Sequence, residues 1–286
     1  MTLQQLEYVM AVYRCKHFAK AADYCNVTQP TLSSMIQKLE EELGVKIFDR
    51  SKQPIKPTAE GMLIIERAWN ILVRAKQLKE VVEEERHSLS GTFHVAVLPT
   101  IAPYLIPRFL PQLMNEYPEL DIRVTEMKTE DIHKALKHGD IDAGIVAQVE
   151  GQEGFDSEHL YFEKFFVYVS KGDALFNNKA IRTVDLTGEY LWLLDEGHCF
   201  RDQLVRYCQL SASAKRAIRY SEGNLLSFMH LVEGGQGMTF IPKLAERYLG
   251  TDQRSLVRPF AIPRPVRAIH LAFRSDFVRT SLLDAF

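Results

Sequence analysis

The chain has 286 residues, of which 46% are hydrophobic and 25% charged, with a formal net charge of −2 at pH 7. This length suits two or three domains, and this composition is typical of a soluble globular protein rather than a polycation or a disordered chain. No apolar run approaches the roughly 20 residues of a membrane span, and residues 1–7 do not resemble a signal peptide, so we expect a cytoplasmic protein with no membrane partner.

Amphipathic spacing predicts helices in the first part of the chain. A short second helix over 18–25 and a turn at 26–27 follow the first helix. Thr28 can cap a third helix that tolerates Pro30 in its first turn, because that amide has no intrahelical partner. The expected buried positions are Leu3, Leu6, Val9, Met10 and Tyr13 on the first helix and Leu32, Met35, Ile36, Leu39 and Leu43 on the third.

The other face of the third helix carries short polar side chains and one Lys, which suit base edges and phosphates in a major groove. Two extended pieces around a basic turn over 45–58 predict a wing on the DNA backbone. A solvated helix face would carry similar residues, so spacing alone leaves that alternative open. The candidate DNA-binding residues are Thr28, Gln29, Pro30, Thr31, Ser33, Ser34, Gln37 and Lys38 on the helix and Arg50, Lys52, Lys56 and Thr58 in the wing.

A set of motifs across residues 1–61 resembles the LysR-type transcriptional regulators. This resemblance implies a mainly α, winged helix-turn-helix domain at 1–58 that binds double-stranded DNA. Residues 1–58 also hold eight Lys or Arg and six Asp or Glu, with the basic residues concentrated at 46–56. The motifs are Ala21-Ala22, Thr28-Gln-Pro-Thr-Leu-Ser33, Leu39-Glu-Glu-Glu-Leu-Gly44, Phe48-Asp-Arg50 and Thr58-Ala-Glu-Gly61.

The pattern of residues 59–85 predicts one long helix. Its apolar residues form a seam in which they are spaced alternately by four and three positions. Because the seam is narrow and has charged flanks, we favour a dimeric coiled coil over a core helix. Two DNA-binding domains on one dimer imply a DNA target whose two halves are related by two-fold symmetry. A hinge over 88–91 ends the helix, so residues 59–90 form a linker and dimerisation helix. The seam residues are Ile64, Ala68, Ile71, Ala75, Leu78 and Val82.

Alternating strands and helices predict an α/β fold with a parallel sheet for residues 91–286. We expect lobe I to comprise 91–162 and 268–286, and lobe II to comprise 163–267. The resemblance implies a regulatory domain of two periplasmic-binding-protein-like lobes. The predicted strands are 92–97, 120–126, 141–147, 165–170, 190–194, 219–220, 238–241 and 266–273, and the predicted helices are 101–117, 129–137 and two that begin at Cys199 and Asn224.

Cys199 and Cys208 form the most informative pair in the chain. If one helix carries both, their spacing puts them roughly 13 Å apart along the axis and on opposite faces. A disulfide needs Cα atoms within about 7 Å, so joining them would require local refolding, which is the chemistry of a switch. Two ordinary core thiols are the alternative. The four cysteines are too few for a disulfide framework and wrongly spaced for a metal site, and Cys15 and Cys25 are expected to be structural.

The segment Asp195-Glu-Gly-His-Cys-Phe-Arg-Asp-Gln203, with Cys208, is closely similar to the sensing segment of peroxide-responsive LysR-type regulators. The resemblance covers essentially the whole chain. It implies that hydrogen peroxide oxidises Cys199 to a sulfenic acid, which Cys208 resolves as a disulfide. Helix capping is the alternative interpretation of Thr129. The residues at positions matching the peroxide pocket are Thr100, Thr129, His198, Arg201 and Asp202.

The resemblance therefore implies a transcriptional activator of the oxidative stress response that is not an enzyme, needs no cofactor and takes hydrogen peroxide as its signal. It also implies a homotetramer, as a dimer of dimers, that contacts RNA polymerase when oxidised. A LysR-type regulator sensing an organic metabolite in the inter-lobe cleft is the first alternative, and a thiol peroxidase is the second. Members of this family usually run somewhat further than Phe286, which lies inside the expected last helix.

Overall fold

The computed structural model describes residues 1–85, 89–147, 154–186, 191–194, 223–235 and 237–286. The chain forms two compact units, Met1–Ser88 with Val278–Thr280, and Leu89–Phe277 with Ser281–Phe286. Within the described ranges, no helix is both long and apolar enough to cross a membrane. The predicted helix from Cys199 and the predicted strand at 219–220 lie outside the described residues.

The three predicted helices of the head (residues 1–58) are confirmed as α1 (Leu3–Cys15), α2 (Phe18–Tyr24) and α3 (Gln29–Leu43). Thr28 caps α3 by accepting a hydrogen bond from the Thr31 amide, Pro30 lies in the first turn, and Gly44 ends the helix at φ +71°. Val9, Leu32 and Ile36 are fully buried in the shared core. The prediction was wrong for Leu3 and Leu43, which lie at helix ends and are exposed.

A two-stranded wing follows, formed by β1 (Phe48–Asp49) and β2 (Lys56–Pro57) in antiparallel pairing. It leads into α4 (Ala59–Glu85). The first half of α4 packs into the head core through Ile65, Ala68 and Trp69. Further along, the seam residues Ile71, Leu78 and Val82 are 39%, 74% and 50% exposed. We call these three residues the distal seam.

The second unit begins with β3 (Gly91–Val97), β4 (Leu120–Glu126) and β5 (Ala143–Val146), which run parallel as predicted. Their crossovers are α5 (Ala102–Glu116) and α6 (Thr129–Lys137). The sheet as a whole is mixed rather than parallel, because β9 (Val266–Arg274) returns beside β5 in the antiparallel sense.

The longest strand, β6 (Phe155–Val169), joins the two lobes of this unit. Its first part pairs with β9 as far as Lys164↔Val266. Its last part lies between β7 (Met238–Pro242) and β8 (Val257–Pro259). The predicted strand began only at Phe165, because residues 156–160 lack apolar alternation. These residues are exposed in the structure.

Shorter elements complete the second unit. They are α7 (Leu225–Glu233), α8 (Thr251–Arg254) and α9 (Thr280–Ala285), with 3-10 turns at Ala174–Asn177, Thr183–Asp185 and Lys243–Tyr248. The strand predicted over 190–194 is reduced to a single parallel bridge between Leu191 and Met238. Among the described residues, one apolar core lies in lobe I, and lobe II contains two that share its strands.

Gly61 tests how closely the wing approaches α4. A Cβ at Gly61 would lie 2.0 Å from the Ile47 carbonyl oxygen, so we expect Gly61→Ala to displace the wing and cost about 2–3 kcal/mol of unfolding free energy. Gly44→Ala meets no atom within 4 Å and should cost about 1 kcal/mol through its positive φ. Denaturant unfolding followed by the fluorescence of Trp69, in a Trp192→Phe background, measures both losses. Equal losses would contradict this close approach.

Candidate functional site

The polar face of α3 and the wing surround one concave surface of the head. Among the predicted DNA-binding residues, Thr28, Gln29, Pro30, Thr31, Ser34, Gln37, Lys38, Arg50, Lys52 and Lys56 are exposed, and Ser33 and Thr58 are half-buried. A cavity of about 660 Å³ separates the helix from the wing, and Gln37, Lys46, Arg50 and Lys52 line it. Three cations around one concavity suit phosphate groups of a DNA backbone. Lys46 was missing from the predicted set, although its place in the basic run 46–56 could have identified it.

A buried carboxylate joins α3 to the wing. Glu40 is only 2% exposed. Its Oε1 accepts hydrogen bonds from the Ile47 and Phe48 amides at 2.8 and 3.3 Å. Its Oε2 accepts from Lys46 Nζ at 3.3 Å and Arg50 Nη2 at 3.4 Å. The Glu40 carboxylate thereby accepts hydrogen bonds from the two backbone amides leading into β1 and from two cationic side chains. These contacts fix the wing relative to α3.

Arg50 makes several contacts inside the head, although its side chain is also exposed. Besides Glu40, its Nη1 donates to Ser33 Oγ at 3.0 Å, and its guanidinium lies 4.8 Å from the centroid of the Phe18 ring. These contacts hold Arg50 in one place between α2, α3 and the wing. We therefore assign Arg50 and Ser33 a positioning part in the DNA interface in addition to any direct contact.

Other predicted DNA-binding side chains also have protein partners. Lys52 Nζ lies 3.0 Å from Asp49 Oδ2, and the Ser51 hydroxyl, followed by Lys52, lowers the pKa of Asp49 to about 2. Asp49 is therefore charged at neutral pH and offsets part of the positive charge of the wing. Thr58 caps α4 by accepting from the Gly61 amide at 2.8 Å and donates to the Lys46 carbonyl at 2.6 Å.

In the second unit, strand register brings the predicted residues Thr100 and Thr129 to one edge of the sheet. Val97 at the end of β3 is paired with Glu126 at the end of β4. Thr100 and Thr129 each follow their strand end by three residues, so both lie beyond the carboxyl ends of neighbouring parallel strands. This edge is where open α/β sheets bind their ligands.

The hydroxyl of Thr129 has no hydrogen-bond partner among the described residues. Thr129 is the first residue of α6, the cap position belongs to Lys128, and the Thr129 Oγ1 is buried with no hydrogen-bond partner in the described part of the chain. Helix capping therefore does not explain this residue. Thr100 is 3% exposed, and its Oγ1 accepts a hydrogen bond from Arg267 Nη1 at 3.1 Å.

Arg267 and its partner Glu163 were not predicted as site residues. They are paired across β9 and β6, and both are 2% exposed. Arg267 Nε and Nη2 lie 2.7 and 2.5 Å from Glu163 Oε2. Burial raises the pKa of Glu163, while the charge and hydrogen bonds of Arg267 act in the opposite direction. The sequence signal is weak: Arg267 is a charged residue inside the apolar strand predicted over 266–273, whereas Glu163 precedes the strand predicted from Phe165.

The sensing residues His198, Cys199, Arg201, Asp202 and Cys208 lie outside the described residues.

The chain on either side of that segment is anchored. The Trp192 amide donates to the Met238 carbonyl at 2.8 Å, and the Trp192 carbonyl accepts from Thr239 Oγ1 at 2.8 Å. Beyond the segment, Asn224 caps α7 through the Ser227 amide. Trp192 and Asn224, which flank the part of the chain outside the described residues, are therefore both held within lobe II.

The remaining thiols, Cys15 and Cys25, are free and half-buried in the head. Burial raises the pKa of Cys25, and the neighbouring Cys15 and Glu7 add to that shift. A raised pKa lowers the thiolate fraction and therefore the reactivity toward oxidants. Within the described ranges, no group of three or more His, Cys, Asp or Glu side chains is placed to hold a metal ion.

Glu40 gives a direct test of how the DNA surface is held together. We expect Glu40→Ala to lower the unfolding free energy of the head by about 2–4 kcal/mol, because two buried amides lose their acceptor. DNA affinity should fall at the same time, since the wing is no longer fixed to α3. Glu42→Ala, which removes a surface ion pair with the Met1 amino group, is the matched control. Equal DNA affinity in the two variants would contradict this assignment.

The chain matches two protein-family models. One, described as bacterial regulatory helix-turn-helix protein, lysR family, matches residues 3–62, and another, LysR substrate binding domain, matches residues 86–286. A curated relative, the hydrogen peroxide-inducible genes activator of Haemophilus influenzae, is 35% identical over 274 residues, which cover 96% of this chain and 91% of that protein.

Two solved structures are similar over nearly the whole chain. A full-length OxyR variant from Pseudomonas aeruginosa has a TM-score of 0.79 at 31% identity, covering 100% of this chain and 96% of that one. A Corynebacterium glutamicum OxyR variant with H2O2 bound has a TM-score of 0.65 at 28% identity, covering 99% and 89%. The chain therefore belongs to the LysR family of bacterial helix-turn-helix regulators.

Proposed function

We propose that this protein is a peroxide-sensing transcriptional regulator of the oxidative stress response, switched by a reversible disulfide between Cys199 and Cys208. The observation that carries the proposal is the placement of Thr100 and Thr129 at one sheet edge, with the Thr129 hydroxyl buried and without a hydrogen-bond partner among the described residues. The names of the similar proteins support the same signal. The protein acts in the cytoplasm and binds double-stranded DNA through α3 and the wing.

The pocket suits hydrogen peroxide because this molecule both donates and accepts hydrogen bonds. Threonine hydroxyls can do the same. Thr100 already accepts from Arg267, so its own hydrogen can point to a ligand. His198, Arg201 and Asp202 complete the pocket in this proposal.

The reaction needs no cofactor. The Cys199 thiolate attacks one peroxide oxygen, an S–O bond forms as the O–O bond breaks, and the departing hydroxide takes a proton to become water. The Cys208 thiol then attacks the sulfenic sulfur, which forms the disulfide and releases a second water. A cellular dithiol reduces the disulfide by thiol–disulfide exchange, is itself oxidised, and returns both cysteines to thiols, which resets the switch.

The disulfide changes DNA binding by stabilising a conformation that the dithiol does not populate. Trp192 and Asn224, which flank the sensing residues in sequence, make hydrogen bonds within lobe II, and in this proposal they connect the disulfide to that lobe. Paired regulatory domains in a dimer of dimers then repack, the heads shift along the operator, and RNA polymerase is contacted.

Removing the resolving thiol tests the switch. We expect Cys208→Ser to bind operator DNA in its reduced form like the wild type, but to show no lasting footprint change after peroxide, because its sulfenic acid has no partner thiol. Footprinting before and after stoichiometric peroxide measures this, and Cys25→Ser is the thiol-removal control. Full, persistent switching of Cys208→Ser would contradict the disulfide. A response unchanged in Cys199→Ser would instead favour an organic effector.

The distal seam tests the proposed dimer. Leu78 is 74% exposed at a heptad position, so Leu78→Glu would bury a charge in the interface and should weaken dimerisation at least about 100-fold. Lys79→Glu adds a similar charge beside the seam and should leave the dimer intact. Sedimentation velocity measures both. Wild-type association of Leu78→Glu would exclude this seam as the interface.

A further inference from the structure

We infer that Glu163 is a positioning residue for the peroxide reaction: it holds the Arg267 guanidinium so that Arg267 orients the Thr100 hydroxyl toward the peroxide. This inference rests on the proposed function. It adds a residue whose part in the reaction is to hold Arg267.

The contacts form one chain of three residues. Glu163 Oε2 receives the Nε and Nη2 side of the guanidinium at 2.7 and 2.5 Å. The Nη1 on the other side donates to Thr100 Oγ1 at 3.1 Å. Because the guanidinium is planar and rigid, fixing one edge of it also fixes the direction of the other. The Phe165 ring, 5.4 Å from the guanidinium carbon, supports the group from one side.

Stability alone does not explain this pair. Both side chains are 2% exposed, and removing two charges from water costs about as much as their attraction returns. The same desolvation cost raises the pKa of Glu163, because burial disfavours the charged carboxylate. The pair therefore contributes little net stability, although it lies where β6 and β9 join the lobes. The geometry that it imposes on Thr100 explains its presence.

That geometry has a chemical consequence. Since the Thr100 oxygen accepts from Arg267, the hydroxyl hydrogen points away from the guanidinium and is available to a peroxide oxygen. As the Cys199 sulfur attacks one oxygen, negative charge develops on the other, which leaves as hydroxide. A fixed hydroxyl donor, polarised by the adjacent cation, stabilises that charge. Without the Glu163 carboxylate, Arg267 can turn, and the donor loses its direction.

The test compares two reactions of the same thiol in the full-length protein. Peroxide oxidation of Cys199 needs a stabilised hydroxide leaving group, whereas alkylation by iodoacetamide does not. We expect Glu163→Gln to lower the second-order rate constant for peroxide at least about tenfold, with the alkylation rate changed less than about twofold. Glu163→Asp keeps the charge and should be intermediate. Glu158→Gln, an exposed site on the same strand, is the control and should match the wild type.

A double-mutant cycle with Thr100→Val separates this role from general loosening of the fold. If Glu163 acts through Arg267 and Thr100, Glu163→Gln should add little to the loss caused by Thr100→Val. Fully additive losses, or an unchanged ratio of peroxide to alkylation rates in Glu163→Gln, would overturn the inference. If Glu163→Gln does not fold, the ratio of peroxide to alkylation rates in Glu163→Asp provides the test instead. A wild-type Cys199 that peroxide does not oxidise would instead overturn the proposed function.

Discussion

The second unit depends on a guanidinium and a carboxylate that meet where β6 and β9 pass between its lobes. Glu163 and Arg267 are almost completely buried, so separating them would leave two unpaired charges away from water. Sliding one strand past the other would separate them at a high cost in free energy. Arg267 also donates to Thr100. The ion pair that joins β6 to β9 therefore also orients the Thr100 hydroxyl at the sheet edge.

The head uses the same physical device for a different purpose. Glu40 is buried between α3 and the wing and satisfies two backbone amides together with two cations. The DNA surface is therefore assembled before DNA arrives, which lowers the entropy lost on binding. In both units a buried carboxylate organises a neighbouring cation, and the cation in turn positions a hydroxyl, Ser33 in the head and Thr100 in the second unit.

Local patterns predicted the parts of this structure that depend on neighbours in sequence. The cap at Thr28, the end of α3 at Gly44 and the parallel strands β3 to β5 follow from turn chemistry and periodicity. The pairing of Glu163 with Arg267 joins residues 104 positions apart, and no local pattern contains it. Arg50 was predicted as a DNA contact because exposed cations suit phosphates. Its contacts to Glu40 and Ser33 required the packed arrangement of helix and wing.

The most direct test of the proposed switch is to treat reduced protein with one equivalent of hydrogen peroxide while it is bound to operator DNA. Mass spectrometry of the digested protein and DNA footprinting are then carried out on the same sample. The proposed switch predicts that peptides containing Cys199 and Cys208 become linked with the loss of two hydrogens, and that the footprint changes in proportion to the linked fraction. A changed footprint without this linkage, or complete linkage with an unchanged footprint, would contradict it.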